Sequence, residues 1–317
     1  MLACEARSFT EPSECAAAIR GVEVDMTVVG RGRFAADFVA IDLDVLRLQR
    51  MSENLPLVYH CANSGGRANF LFQTQPGPSV FRNGIEITSD AIVRRIGDPQ
   101  LHSVRSFGPM HWGSMSLPLA DIPSVSEAVL GYDLMPPKSE QVIRPRPDAM
   151  ANLQRLHAAA GLFAKEAPEM VENSEVARGM EQILLQALVS CLEHSSVHGP
   201  TPTEARHQKI MQRFHAIIKA NSTSPLYVLE MAKGAGASLR SLTVCCQEHL
   251  GMGPKKYLLL RRMHLARQAL SRADQDDLTV TDVATQYGFW QFGRFAGQYK
   301  SLFGELPSET LRRPPAH

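Results

Sequence analysis

The sequence predicts an α+β protein, with an N-terminal antiparallel β barrel or jelly roll and a helical pair, followed by an all-α domain. Short apolar runs separated by turn signals extend from Arg33 to about Leu119, which is typical of an antiparallel barrel or sandwich. After residue 148 the apolar residues recur at three- and four-residue steps, as in amphipathic helices. Roughly the last hundred residues then repeat one helix-turn-helix pattern twice.

The composition is that of a globular protein with several domains. The chain has 317 residues, enough for two or three domains, and 44% of them are hydrophobic and 21% charged. No apolar run is long enough to span a bilayer and no secretory signal is present, so we expect no membrane partner and a cytoplasmic location. The six cysteines have no zinc-binding spacing, which predicts free thiols and no metal or other cofactor.

The net charge of +1 hides an uneven distribution along the chain. Residues 205–317 hold 16 Lys and Arg against 8 Asp and Glu, whereas the rest of the chain holds 17 against 24. Such segregation favours a polyanionic partner for the C-terminal end. Chance segregation of charges on solvated faces would give the same counts.

Turn signals divide the N-terminal region into short segments. Asn83-Gly84 is the sharpest of them, because both residues tolerate the positive φ of a hairpin turn. Further turns are predicted at 63–66 and 75–78. Strands are predicted at Asp42–Val45 and Ser79–Phe81, among others.

Prolines and a change of periodicity mark the domain boundaries. Four prolines between 136 and 147 indicate a connector, after which Asp148 is predicted to cap the first of two helices separated by Pro168. The apolar stripes of this pair fit a cover for the β sheet and a dimer seam equally well. The breaker-rich stretch 195–202 is the best boundary. The predicted parts are a β-rich domain (1–147), a helical pair with a linker (148–198) and a double helix-turn-helix domain (199–317).

The C-terminal region repeats itself with an offset of 52 and then 53 residues. The matching residues are Val228, Ala232 and Gly236 with Val280, Ala284 and Gly288, then Leu242, Cys246, Leu250, Gly251 and Pro254 with Phe295, Tyr299, Phe303, Gly304 and Pro307. In each copy an alanine allows two helices to cross closely and a glycine supplies a left-handed turn. A helix from Pro254 to about Leu270 would be about 25 Å long, so it can hold the two units near the roughly 34 Å spacing of successive major grooves.

Many residues at fixed spacings identify a family for the segment from about Arg206 to Arg313. They are Leu239-Arg240-Ser241-Leu242, 251–258, 261–267, Val283-Ala284, 287–289, Phe295, Tyr299, Phe303-Gly304 and Pro307-Ser308. The segment resembles the DNA-binding domain of AraC/XylS-family transcription regulators, from which it departs at Tyr227, Cys246 and Gly297. The resemblance implies a sequence-specific regulator with an effector-binding and dimerising N-terminal region. Its expected partners are double-stranded DNA, a small-molecule effector, a second copy of the chain and RNA polymerase.

Helical periodicity separates a core face from a groove face in the second helix of each unit. The core faces comprise Leu242, Cys245, Cys246 and His249 in the first unit, and Phe292, Phe295, Ala296, Tyr299 and Leu302 in the second. The predicted DNA-binding residues on the opposite faces are Arg240, Thr243, Val244 and Gln247, then Gln291, Arg294 and Gln298. Arginine pairs with guanine and glutamine with adenine. Contact of either arginine with phosphate alone is an equal alternative.

The β domain is predicted to bind the effector in its interior or mouth, with Arg67, Arg94 and Arg95 as candidate partners for an anionic group. The alternative function is a cupin-like enzyme or a metal-dependent sensor that is tethered to DNA by its C-terminal domain. Such a site needs histidines that alternate on one strand, whereas the histidines of this region are isolated from one another. We therefore expect no catalytic residue and no enzyme.

Overall fold

The computed structural model describes residues 2–96, 101–127, 132–137, 140–193, 196–198, 201–221, 226–273 and 278–313. The strands are β1 (Ala3–Phe9), β2 (Val22–Val28), β3 (Ala36–Asp42), β4 (Arg47–Glu53), β5 (Leu57–Asn63), β6 (Arg67–Gln73), β7 (Val80–Arg82), β8 (Ile85–Ile87), β9 (Ile92–Ile96), β10 (His102–Arg105), β11 (Met110–Pro118), β12 (Gln141–Arg144) and β13 (Ser196–His198). The helices are α1 (Pro12–Ala18), α2 (Ile122–Val125), α3 (Pro147–Glu166), α4 (Pro168–Val171), α5 (Ser174–Leu192), α6 (Pro202–Ala220), α7 (Val228–Gly234), α8 (Leu239–Leu250), α9 (Pro254–Arg272), α10 (Val280–Gln286), α11 (Phe292–Phe303) and α12 (Pro307–Leu311).

The N-terminal domain is built from two antiparallel sheets, which we call the large and the small sheet. The large sheet has the order β1-β3-β4-β11-β6-β9-β12-β13, and the small sheet has the order β2-β5-β10-β7-β8. A hydrophobic core that includes Phe38, Tyr59 and Val93 lies between them. The sheets form a jelly-roll-like sandwich rather than a closed barrel. Of the two architectures that the sequence predicts, the jelly roll is therefore the one that is observed.

The large sheet is buried on both faces. In β3, Phe38 and Ala40 belong to the core between the sheets, whereas Val39 and Ile41 pack towards the helices on the outer face. Successive side chains of a strand point to opposite faces, so two buried faces require a nearly continuous apolar run. The small sheet has the same sandwich core on one face, and the C-terminal domain packs against its other face.

The Asn83-Gly84 hairpin is confirmed. Strands β7 and β8 pair antiparallel with Arg82 opposite Ile85. Asn83 has φ 52° and Gly84 has φ 83°, so both turn residues adopt the left-handed conformation that the sequence predicts.

The predicted strand Asp42–Val45 is wrong. Strand β3 ends at Asp42, and the N–H of Leu43 donates to the carbonyl of Leu46 at 2.9 Å to close a turn into β4. Leu43 and Leu46 are nevertheless buried in the outer core, so the turn keeps the apolar pattern of a strand.

Two short strands lie where only connectors are predicted. Strand β12 lies within the proline-rich stretch and pairs with β9, and β13 lies within the predicted linker and pairs with β12. A sheet edge offers unpaired backbone groups that a short segment of almost any sequence can use. Residues 195, 199 and 200 of the predicted linker lie outside the described residues.

The helical pair covers the outer face of the large sheet. Leu153 of α3 and Leu188 of α5 are buried in the outer core, while Ile183 is 50% exposed on the far side. The predicted cap at Asp148 is wrong, because α3 begins at Pro147 with Arg146 as its N-cap. Proline is favoured at the first position of a helix, so Asp148 falls inside the first turn, where it pairs with Arg146.

The C-terminal domain is entirely helical in its described residues and has two hydrophobic cores, one for each helix-turn-helix unit. Across the described part of the chain, no helix combines the length and apolar character needed to cross a membrane.

Candidate nucleic-acid interface

Two helix pairs with the same geometry form the C-terminal domain, α7 with α8 and α10 with α11. Gly236 and Gly288 follow the first helix of each pair with φ of 68° and 75°. Gly251 and Gly304 are the C-caps of the second helices, with φ of 70° and 75°. All four glycines therefore adopt the left-handed turn conformation that other residues rarely adopt. The predicted repeat of two helix-turn-helix units is confirmed.

Helix α9 connects the two units and contributes to both cores. Tyr257, near its start, is buried in the first core, and Met263 and Leu270 are buried in the second. The helix has 19 residues, which corresponds to about 28 Å. It can therefore hold the recognition helices α8 and α11 at a distance comparable to the spacing of successive major grooves.

The two units begin with different caps. Thr279 and Asp282 form a capping box, in which the Asp282 backbone N–H donates to Thr279 Oγ1 at 3.2 Å and the Thr279 N–H donates to Asp282 Oδ2 at 3.0 Å. Tyr227 occupies the same position before α7 and makes no side-chain cap. The recognition helix α8 is capped by Ser238, which accepts from the Ser241 N–H at 3.0 Å.

The first recognition helix has the predicted division into two faces. Its core face is buried, with Leu242, Cys245 and Cys246 fully so. The four predicted DNA-binding residues, Arg240, Thr243, Val244 and Gln247, are all exposed on the opposite face. This face is open to a polyanion over the length of the helix.

The second recognition helix differs from the prediction at one residue. Gln291 and Arg294 are exposed and Gln298 is half-buried, while Phe295 and Tyr299 are buried as predicted. Phe292 is 44% exposed, so its place in the core face is wrong. It lies in the first turn of α11, where the helix extends beyond the core that its later turns contact.

Cys245 and Cys246 are small core residues of the first unit. Burial raises the pKa of Cys245 to about 11 and that of Cys246 to about 12, so both are protonated thiols at neutral pH. Because the thiolate is the reactive form, this pair is a poor sensor of oxidants.

A second candidate site is a cavity of about 130 Å³ between the two sheets of the N-terminal domain. Its walls are mostly apolar: Val22, Val24, Leu71, Val80, Val93, Val104, Met110 and Trp112. Arg82, Arg95 and His102 also line it. Arg82 Nε donates to Glu140 Oε2 at 2.8 Å, and Arg95 Nη1 lies 2.7 Å from His102 Nδ1.

The cavity includes only one of the three arginines that are predicted to bind an effector. Arg94 and Arg95 are adjacent in β9, so they point to opposite faces, and only Arg95 lines the cavity. Arg67 does not line it, and its guanidinium donates to the backbone oxygens of Ser116 at 2.7 Å and Val45 at 3.2 Å. Arg82 is missed by the sequence analysis, although its place next to the Asn83-Gly84 turn could have indicated an inward-facing side chain.

The C-terminal domain packs on the small sheet through a buried polar interface. Tyr257 Oη lies 2.8 Å from His60 Nε2, and the ring of His215 stacks on His60 with centroids 4.0 Å apart. Arg261 of α9 forms an ion pair with Asp25 of β2. His264 Nε2 donates to the carbonyl of Val28 at 2.7 Å.

The same interface reaches the C-terminal half of the first recognition helix. Ser103 Oγ of β10 lies 3.0 Å from His249 Nδ1. Arg105 Nη1 donates to the carbonyl of Gln247 at 3.1 Å. Both contacts are on the core side of α8, so they leave its predicted groove face free.

The histidines of the N-terminal domain do not form a metal centre in the described part of the chain. No group of three or more His, Cys, Asp or Glu is arranged there to hold a metal ion. His60 faces the C-terminal domain, His102 faces the cavity between the sheets, and His111 lies at the outer face of the large sheet.

Known proteins with similar sequences match about half of the chain. Residues 231–313 match a family described as a helix-turn-helix domain. The "Probable thc operon regulatory protein" of Rhodococcus erythropolis is 34% identical over 173 residues, which are 53% of this chain and 51% of that protein. The "XylDLEGF operon transcriptional activator 3" of Pseudomonas putida is 32% identical over 51% of this chain and 49% of its own length. The chain spans about half the length of these relatives.

Two solved structures resemble the chain. A probable AraC family transcriptional regulator from Rhodopseudomonas palustris is 32% identical to this chain, with a TM-score of 0.31. The match covers 33% of this chain and 98% of the other protein's chain. The AraC-like transcriptional activator CuxR is 13% identical, with a TM-score of 0.42, and covers 83% of this chain and 95% of its own.

The paired helix-turn-helix units and the exposed polar faces of their recognition helices are typical of a DNA-binding domain. The chain is similar over about half of its length to operon regulators and activators, and in this respect it resembles the AraC/XylS family of transcription regulators.

Proposed function

We propose that this protein is a sequence-specific transcription regulator that binds two adjacent major grooves of duplex DNA and responds to a small molecule bound between the sheets of its N-terminal domain. The observation that carries the proposal is the exposed face of each recognition helix, on which an arginine and at least one glutamine project away from a buried core. The protein acts in the cytoplasm, where its DNA is located, and it is not an enzyme.

Strand alternation supports a link between the cavity and the C-terminal domain. In β5, Tyr59 and Cys61 line the cavity, whereas Val58 packs in the core of the first helix-turn-helix unit and His60 bonds to Tyr257. In β10 the same alternation places Val104 in the cavity and the flanking residues against α8. A ligand that shifts these two strands therefore acts directly on the surface that holds the DNA-binding domain.

The cavity indicates the size of the effector. Its volume of about 130 Å³ is close to the roughly 150 Å³ of an apolar cavity that accommodates benzene. The apolar walls suit a ring or a short hydrocarbon chain, and Arg95 suits a polar or anionic group at one end. Arg82 and Arg95 are both within 3.4 Å of Glu140, so that carboxylate would compete with an anionic effector.

Two further partners belong to the proposal. The exposed side of the helical pair, with Leu162 at 55% and Ile183 at 50% exposure, would form the seam of a homodimer. Ile183→Asp should then produce a monomer in sedimentation velocity, whereas Arg178→Asp, on the same helix, should not. RNA polymerase would contact the DNA-bound protein, since the relatives are named as operon regulators and activators.

Selection from a randomised duplex library tests the DNA-binding function with the full chain. We expect an enriched site with two half-sites about 10 base pairs apart, one for each recognition helix. Arg240→Ala combined with Arg294→Ala should abolish the enrichment, and Arg178→Ala, an exposed arginine on α5, should leave it unchanged. A folded protein that enriches no sequence would refute the proposal.

A thermal-shift screen of metabolites tests the effector, because a ligand that binds only the folded protein raises its melting temperature. The compounds found should change the affinity for the selected DNA site. Stoichiometric metal in the purified protein, with turnover of a substrate, would instead favour the cupin-like alternative.

A further inference from the structure

A second cavity lies on the outer face of the large sheet, on the opposite side from the cavity between the sheets. It has a volume of about 270 Å³ and lies where helix α3 crosses strands β3, β4 and β11. Its lining residues include Arg50, Ser52, Thr74, His111 and Lys165. Val39, Ala158 and Leu162 form apolar walls.

The half-buried Arg50 has no acidic partner among the described residues. It faces outward from β4, and its Nη1 donates to Nδ1 of His157 at 3.2 Å. Burial lowers the pKa of His157 to about 3, so this partner is a neutral ring that offers an acceptor but no negative charge. Burial is also the only cause that lowers the pKa of Arg50. Asp37 lines the same cavity, but no ion pair joins it to Arg50, and its carboxylate accepts from Ser8 at 2.6 Å.

A hydroxyl group in the same cavity also lacks a partner among the residues that the structure describes. Thr74 is only 5% exposed, and its Oγ1 forms no hydrogen bond with any of them. Buried hydroxyl groups and arginines are rarely left unpaired, because each loses hydration without compensation. A guanidinium without a counter-ion and a free hydroxyl beside one cavity are complementary to an oxyanion.

Two glycines keep this space open. A Cβ at Gly113 would lie 2.7 Å from Thr74 Cγ2 and 2.6 Å from His157 Cε1. A Cβ at Gly161 would lie 3.0 Å from Arg50 Cδ. Any side chain at either position would therefore displace the groups that line the cavity.

We infer that this cavity binds a small carboxylate with a short apolar chain, with the carboxylate on Arg50 and Thr74 and the chain against Val39 and Leu162. Lys165, exposed at the rim, adds a second positive charge that attracts the ligand. The apolar walls favour an organic carboxylate over inorganic phosphate. The site is separate from the effector cavity of the proposed function, because it lies on the other face of the large sheet and is built by α3.

Calorimetric titration of the full chain with acetate, butyrate, hexanoate and inorganic phosphate tests the inference. We expect affinity to increase from acetate to hexanoate as more apolar surface is buried, and phosphate to bind more weakly than butyrate. Arg50→Gln should weaken binding by at least about tenfold, as expected for the loss of a charge-assisted hydrogen bond. Arg155→Gln, which changes an exposed arginine on the α3 helix that covers the cavity, is the control and should bind as the wild type does.

Thr74→Val is a nearly isosteric second variant that keeps the test valid if Arg50→Gln does not fold. It should raise the melting temperature of the ligand-free protein and weaken carboxylate binding, because it removes a hydroxyl that only the ligand satisfies. The inference is overturned if no carboxylate binds, or if both variants bind with wild-type affinity. Stronger binding of phosphate than of hexanoate would overturn the assignment of the ligand class. Loss of binding in Val104→Phe but not in Arg50→Gln would overturn the inference and place the carboxylate between the sheets, as the separate effector proposal predicts.

Discussion

Arg240 and Arg294 both lie in the first turn of their recognition helices, one position apart in the repeat, and their neighbours differ. Thr243, Val244 and Gln247 are exposed next to Arg240 and can add base contacts, including one to a thymine methyl group. Arg294 lies between Gly293 and Gly297, which have no side chains to read a base. The first helix should therefore read several base pairs, whereas the second should depend mainly on Arg294.

Arg294→Ala should cost about 1–3 kcal/mol of binding free energy and relax the preference at one or two base pairs, as the loss of a bidentate guanine contact does. Binding across the randomised library at two salt concentrations measures both effects. If Arg294 contacts only phosphate, all sequences should weaken alike and the salt dependence should fall by about one unit.

At the residue scale, the buried carboxyl group of Glu53 should also make the stability of the protein depend on pH. Burial raises the pKa of Glu53 to about 8, although Tyr59 Oη and Trp112 Nε1 donate hydrogen bonds to its carboxylate. The folded state thus keeps a proton that the unfolded state releases near pH 4.5. This contribution to stability is fully present below the unfolded pKa and is lost as the pH rises towards 8.

The decrease in stability that Glu53 causes as the pH rises should therefore be absent in Glu53→Gln. The variant should be more stable than the wild type at pH 8, and the difference should shrink by up to about 1.4 kcal/mol for each pH unit towards pH 5. Urea unfolding at several pH values measures the difference. Glu86→Gln, an exposed carboxyl of β8, is the control, and equal pH profiles of Glu53→Gln and the wild type would contradict the prediction.

At the scale of the element, two glycines of the second unit should respond to alanine with opposite signs. Gly288 has φ 75°, and a Cβ there would lie 3.2 Å from Arg262 Nη1, so Gly288→Ala should destabilise the unit by about 1–2 kcal/mol. Gly297 lies within α11 with open space around it, so Gly297→Ala should stabilise the helix by roughly 0.5–1 kcal/mol. Thermal unfolding measures both changes.

The Gly297→Ala variant also tests the groove face of α11. If the backbone at Gly297 approaches the duplex closely, Gly297→Ala should weaken DNA binding even though it raises the melting temperature. An alanine that changes neither stability nor DNA affinity would contradict both the helical assignment and the close approach.

Local periodicity predicted the elements whose signals are local. The glycine turns and the Asn83-Gly84 hairpin depend on residues close in sequence, and the structure confirms them. Strand β13 could not be predicted in this way, because its pairing depends on a distant sheet edge rather than on its own residues. The turn at Leu43 was predicted as a strand, because its leucines are buried in the tertiary core and so give the turn the apolar pattern of a strand.

At the scale of the whole molecule, the sequence could predict which face of each recognition helix is exposed but not the cavity. Each recognition helix has its own core, so helical periodicity alone orients its exposed residues. The charged residues at the cavity come from separate strands and a distant loop: Arg82, Arg95 and Glu140 lie far apart in sequence. No sequence spacing connects them, so only Arg95 was predicted and the pairing with Glu140 was not.

The interface between the domains should open in acid. It contains four histidines, of which His60, His215 and His249 are buried and His264 is half-buried. Burial lowers the pKa of all of them, to about 4 for the last three. Asp25 favours the charged form of His215, and Arg261 and Lys219 oppose it, while His60 faces His215, Arg261 and His249.

Separated domains would hydrate these rings and return their pKa towards about 6.5, so the open state binds more protons than the closed state. The stability of the interface is therefore fully present above about pH 6.5 and is lost as the pH falls towards 4. Small-angle scattering should show the radius of gyration increasing over this range while far-ultraviolet circular dichroism stays unchanged. His249→Gln keeps a neutral partner for Ser103 and removes one titrating group, so it should move the opening to lower pH. A radius of gyration that stays constant down to pH 4, in a chain that remains folded, would show that protonation of these histidines does not separate the domains.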